Sequence, residues 1–155
     1  MVGGCGGEFA AVRGARHSTL ASFFWIHGRA VATALRAELI RQSRALLANV
    51  KELEKSTPER DLIVPDIAQS LQVLPHVTDK FGLLSGQTIE AVIDAYIVIE
   101  QYWSKLIIDG GEAIQMSSGG RRYVKIDSTK VSRLRGANLG VNDVIQKAIK
   151  QLSAE

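Results

Sequence analysis

Apolar positions recur with helical spacing in two long stretches of the chain. In the first, Val31, Leu35, Leu39, Leu46, Val50 and Leu53 follow one another at intervals of four, four, seven, four and three, which places them on one face of a helix. The intervening residues are rich in Ala, Leu, Arg, Glu and Gln and contain no Pro. A long helix is therefore predicted from Thr19 or Ala30 to Lys55, with Gly28 its one interruption. Arg36, Arg41, Arg44, Lys51 and Lys55 fall largely outside the stripe. In the second stretch, Ile89, Val92, Tyr96, Ile99, Trp103 and Leu106 alternate steps of three and four, a heptad seam. The helix that carries it is predicted over Gly86 to Ile108 and would be about 34 Å long. Ser85 is its predicted N-cap, and Gly110 or Gly111 its C-terminal cap.

Ile93, Ile97 and Ile107 widen the second seam beyond what one neighbouring helix covers. The excess implies either that the C-terminal helix docks there or that copies associate into a four-helix arrangement. Leu35, Leu39, Leu46, Ile89, Val92, Tyr96, Ile99, Trp103 and Leu106 are thus predicted as core or self-association residues.

All three prolines fall in a connector, residues 56–84. Pro58 ends the first helix, because the residue before a proline is pushed out of helical geometry. Pro65 suits the first turn of a short helix from Asp66 to Val73, with Ile67, Leu71 and Leu74 on one face, and Pro75 is expected to end it. Beyond the second long helix, Tyr123, Val124 and Ile126 predict a short strand. Asp127 or Ser128 would cap a short helix through Arg135. A loop containing Gly136 and Gly140, a cap at Asn142 and a last amphipathic helix with Val144, Ile145, Ala148, Ile149 and Leu152 would follow.

The fold class expected is mostly α, an antiparallel helical hairpin or bundle with a small C-terminal basic module that includes a short strand. Its parts are a flexible Gly-rich arm (1–18), a helical hairpin domain (19–110) with the Pro-containing connector, and a basic segment (111–155) ending in a helix.

A chain of 155 residues with 46% apolar and 23% charged residues has the composition of a globular domain. Its single cysteine, Cys5, excludes an intramolecular disulfide framework and a multi-cysteine zinc site. The net charge of +3 is unevenly spread: residues 1–120 hold 11 Lys/Arg against 13 Asp/Glu, and residues 121–155 hold 8 against 3. Arg121, Arg122, Lys125, Arg133 and Arg135 are accordingly the residues that would contact phosphate, were nucleic acid a partner.

Candidate chemistry is sparse. Glu90 and Asp94 lie four apart, yet no Glu-x-x-His accompanies them as carboxylate metal bundles require, so they and Glu100 are expected to face solvent. His17, His27 and His76 are scattered, and neither "GGCGG" nor "SSGGRR" has the spacing of a phosphate loop. No catalytic residue, cofactor or metal site is predicted, and the protein is not expected to be an enzyme. Leu20 to Ile26 is apolar and aromatic, but Arg29 at the centre of a span would cost on the order of 3 kcal/mol. It is read as a helical lead-in, buried or lying on a surface.

The segments "ALRAELIRQSRALL" and "KFGLLSGQTIEAVIDAYIVIEQ", separated by the Pro-broken connector, resemble a loosely defined set of small uncharacterised bacterial proteins. In that set a membrane-anchoring apolar segment runs into a Leu-Arg-x-Glu-Leu helix, and a Gly-Leu-Leu motif opens a second helix containing a Tyr. The resemblance covers residues 32–102 through Leu35, Arg36, Glu38 and Leu39, then Gly82, Leu83 and Leu84, then Tyr96. It implies a membrane-anchored helical protein and carries over no activity. The chain departs from it where His27 and Arg29 break the run before Ala34.

The function expected is that of a non-enzymatic helical interaction or scaffold protein, a homo-oligomer joined through apolar helix faces, in the cytoplasm and in peripheral contact with a membrane surface. The alternative is a nucleic-acid-associated accessory protein that uses the basic C-terminal segment. No small-molecule substrate is inferred.

Overall fold

A computed structural model describes residues 9–55, 62–65, 71–108, 111–115 and 122–155. The chain is a helical bundle closed at one end by a small sheet. Helix α1 spans Phe9–Glu54, α2 Val73–Val77, α3 Gly86–Ile108 and α4 Val131–Leu152; strands β1, β2 and β3 are Leu62–Pro65, Gly111–Gln115 and Arg122–Ile126. The mostly α expectation holds, and of hairpin and bundle the chain is a bundle.

The two long helices do not pair as a hairpin. Helix α4 lies between them and runs antiparallel to both. On the α1 side Arg135 meets Glu54 at 2.9 Å, while Gln146 and Asn142 meet Ser43 further along. On the α3 side Tyr102 meets Asn138 and Thr88 meets Glu155. Helices α1 and α3 therefore point the same way, and the connector must return the chain along the bundle before α3 begins. It does so through β1, then α2 and a 3-10 turn at Thr78–Leu83 packed on α1. Pro75 does not end a helix here. It sits third in α2, inside the first turn, where a missing N–H leaves no intrahelical bond unmade. The short helix expected over 66–73 lies mostly outside the described residues.

This common direction explains the sheet. Helices α1 and α3 end, and α4 begins, at one end of the bundle, so β1, β2 and β3 all emerge there. The order is β1-β3-β2 with both pairings antiparallel: Val64 opposes Val124, and Ala113 opposes Val124 from the other side. Val64, Val124 and Ile126 point into the same apolar cluster as the helices, whereas Ile63, one residue out of phase, is exposed. The C-terminal segment is tied into the bundle, because its strand β3 pairs with β1 from the connector and its helix packs on both α1 and α3.

The cluster joins Leu35, Leu39 and Leu46 of α1, Val92, Tyr96, Ile99 and Leu106 of α3, and Val141, Ile145, Ala148 and Leu152 of α4. Helix α4 is continuous where a loop was expected at residues 136–141. Its inward positions Leu134, Asn138, Val141, Ile145, Ala148 and Leu152 step by four and three without a miss, and their burial outweighs two helical glycines at about 1 kcal/mol each. Helix α1 begins at Phe9, so residues 9–18 are helical where the glycine-rich sequence predicts an arm.

The glycines differ in what surrounds them. A Cβ on Gly28 would stand 2.8 Å from the Leu83 carbonyl oxygen, whereas one on Gly136 or Gly140 would meet open space. Gly136→Ala and Gly140→Ala are each expected to raise the unfolding free energy by about 1 kcal/mol. Gly28→Ala should lower it by about 1–3 kcal/mol, as overpacking does. Urea denaturation of the three variants checks the difference in sign.

Candidate functional site

Among the described residues, Glu38 is the most heavily engaged buried ionisable group. It lies on the inward face of α1, its side chain 1% exposed, because the helical phase of Leu35, Leu39 and Gln42 turns position 38 toward the connector and α3. Its carboxylate accepts hydrogen bonds from the backbone of Gln72 at 2.7 Å and of Val73 at 3.1 and 3.2 Å, the amides that open α2. The Tyr96 hydroxyl donates to its second oxygen, and Arg41 approaches from the solvent side at 3.4 Å. Burial, and then the hydrogen bond to Glu38 and its negative charge, push the Tyr96 hydroxyl above its ordinary range, so it remains a donor at neutral pH. The carboxylate replaces the N-terminal cap that α2 lacks from its own sequence, and it ties three elements together.

Two other polar clusters join helices. Ser43 donates to Asn142 Oδ1 at 2.7 Å and accepts from Gln146 at 2.8 Å. Asn142, expected to cap a helix, is therefore an interhelical contact. Ser85 is the N-cap of α3, its hydroxyl accepting from the Thr88 amide at 3.3 Å. Glu155 adds to that cap, accepting from the Ser85 amide at 3.0 Å and the Thr88 hydroxyl at 2.6 Å. Those bonds hold the Glu155 carboxyl below the ordinary carboxylate range. A lowered folded value means stability that is present above the unfolded value and is lost as pH falls through the folded one. Acid titration of the thermal midpoint is expected to show this loss below about pH 4, and Glu155→Gln should flatten that part of the curve. Asp127 caps the 3-10 turn Ser128–Lys130 that leads into α4: the Thr129 amide and hydroxyl each donate to its Oδ1 at 2.8 Å, and these bonds hold its carboxyl low.

The residues predicted from the seams have gone into the core. Leu35, Leu39, Leu46, Val92, Tyr96, Ile99 and Leu106 are buried, and Ile89 packs partly buried against them. The side chain of Trp103 lies outside those described. Of the basic set, Arg121 lies outside the described residues and Arg122 is placed only by its backbone in β3. Lys125 is half-buried on the outer face of β3; Arg133 and Arg135 are exposed in the first turns of α4, with Arg135 bonded to Glu54. Residues 131–152 form one helix, so they contain no turn between two helices of the kind a helix-turn-helix reader uses. Glu90, Asp94 and Glu100 face solvent, as expected.

Sequence reasoning missed which apolar residues stay outside. Trp25 is 59% exposed and Ile26 57%, on a stretch of α1 that also presents Arg29, Ala30, Thr33 and Ala37. The Arg29 guanidinium lies 5.1 Å from the Trp25 ring centroid, a cation–π spacing. The i, i+4 placement of a Trp and an Arg was a readable signal for this surface pair. Ile93 and Ile97, expected to widen the buried face of α3, are 39% and 45% exposed.

Among the described residues, no three His, Cys, Asp or Glu side chains come together in a group that could hold a metal ion. No helix among them is long and apolar enough to cross a membrane. No protein-family model matches the chain, and no curated protein or solved structure shows significant similarity to it.

Proposed function

We propose that this chain is a non-enzymatic helical interaction protein that self-associates through apolar helix faces its own bundle leaves uncovered. The seams of α1 and α3 are occupied by α4 within one chain, so they are not the surfaces available to a partner. The observation that carries the proposal is the exposure of Trp25 and Ile26 on a helix that continues past the bundle. At 46 residues against 22, α1 is about twice as long as α4, roughly 69 Å against 33 Å. Since Glu54 meets the start of α4, and Trp25, Arg29 and Arg36 line a concavity with Leu152, Ser153 and Glu155, the end of α4 borders the Trp25–Arg36 stretch and α1 continues from there beyond α4. Exposed aromatic and aliphatic side chains on such an extension are what protein interfaces use as anchors.

Sedimentation equilibrium of the full chain over a concentration series tests this. A mass that rises above 16.8 kDa with concentration, and that falls back in Trp25→Ala/Ile26→Ala, is the expected result. A wild-type chain that keeps the monomer mass throughout contradicts the proposal.

A further inference from the structure

The geometry points to the occupant of the exposed α1 face: we infer that it is the outer face of α3 in a second copy of the chain. The inference rests on the self-association proposed above and deepens it by naming the two surfaces that meet.

The two faces are complementary in charge. Among the described residues, the outer face of α1 presents Arg29 and Arg36, with Glu155 beside them at the end of the chain. Helix α3 carries Glu90, Asp94 and Glu100 against the single Lys105. The α3 carboxylates are all exposed, and so are Arg29 and Arg36.

The faces are complementary in relief as well. On α3, Ile93 and Ile97 stand one turn apart as exposed β-branched knobs, with Glu90 and Asp94 along one side of the ridge and Glu100 along the other. On α1, the small side chains of Ala30, Thr33 and Ala37 make a shallow apolar floor beside Ile26, and Trp25, Arg29 and Arg36 line one edge of it. Small residues let a second helix approach closely, and Ile knobs seat against such a floor as in ridges-into-grooves packing. Seating the knobs brings the Arg29 edge to the carboxylates that flank them. Each copy owns one of each surface, and where two copies make the contact reciprocally the assembly closes as a two-fold dimer.

Charge reversal in trans tests the pairing. The Arg29→Glu/Arg36→Glu variant and the Glu90→Lys/Asp94→Lys variant are each expected to dissociate on the order of tenfold more readily than the wild type, because each opposes like charges at the contact. Mixing the two variants should restore association, since the carboxylates introduced on α1 of one then face the ammonium groups introduced on α3 of the other, while the wild-type pairing forms on the reciprocal side. The mass is read by sedimentation equilibrium, with unchanged circular dichroism spectra of both variants as the control for folding. Association of the wild type that neither variant weakens, or that mixing fails to restore, overturns the inference and leaves self-association standing. A wild type that stays monomeric in solution, yet floats with vesicles of phosphatidylserine and phosphatidylcholine through Arg29 and Arg36, overturns both and assigns the α1 face to an anionic lipid surface.

Discussion

Glu38→Ala is expected to lower the unfolding free energy by about 3–5 kcal/mol, the loss seen when one partner of a buried charged network is removed. The substitution strands the Tyr96 hydroxyl and the Gln72 and Val73 amides, which all donate to this carboxylate. The buried Tyr96 hydroxyl left unsatisfied costs about 1–3 kcal/mol, and the partly buried amides that open α2, which lose their cap, supply the rest. For a domain of this size the thermal midpoint should fall by on the order of 10 °C. Tyr96→Phe removes only one donor and leaves the carboxylate its two backbone donors, so its cost should be about 1–2 kcal/mol. Guanidinium unfolding of both variants measures the order of effects. Near-equal losses, or a Glu38→Ala loss under about 1 kcal/mol, would show that the carboxylate does not hold α2 and α3 to α1.

Ile145→Ala should cost about 2–5 kcal/mol, the range of large-to-small changes in closed cores. Ile145 is fully buried in the middle of α4, among the apolar residues of α1 and α3. Removing its side chain opens a cavity in the helix that both others pack against, where no element can collapse without drawing away from another. In dilute protein, Ile97→Ala on the outer face of α3 should change stability by less than about 0.5 kcal/mol. The contrast separates apolar residues that hold the fold from those that remain available to a partner. Similar losses at the two positions would contradict the place of α4 between α1 and α3.

The sequence made the two seams legible because their spacing is regular and their residues are large. It also made Ser85, Asp127 and the strand at Tyr123 to Ile126 legible, because capping and alternation act over a few residues. Helix direction was not legible. A connector of some 30 residues can either turn the chain straight back or carry it along the whole bundle, and nothing local distinguishes the two. Helix α4 was misread because Gly136 and Gly140 weaken local propensity and because Asn138 occupies an inward position. The step pattern from Leu134 to Leu152 nevertheless runs through both glycines, and tertiary burial decided in its favour. The role of Glu38 escaped for a similar reason: its partners lie 34, 35 and 58 residues away, and a charged residue next to an apolar stripe reads as solvated. The exposed surface was harder still to read. Ile93 and Ile97 are as apolar as the residues beside them, and only the position of α4 decides which part of a wide face remains uncovered.

Hydrogen–deuterium exchange at low and high protein concentration bears most directly on the claim that the seams are occupied within one chain while the outer face of α1 is left for another copy. Peptides covering residues 25–37 and 90–101 should exchange more slowly at high concentration, and those covering residues 138–152 should exchange equally at both. Protection confined to α4, or exchange unaffected by concentration along the whole chain, would contradict it.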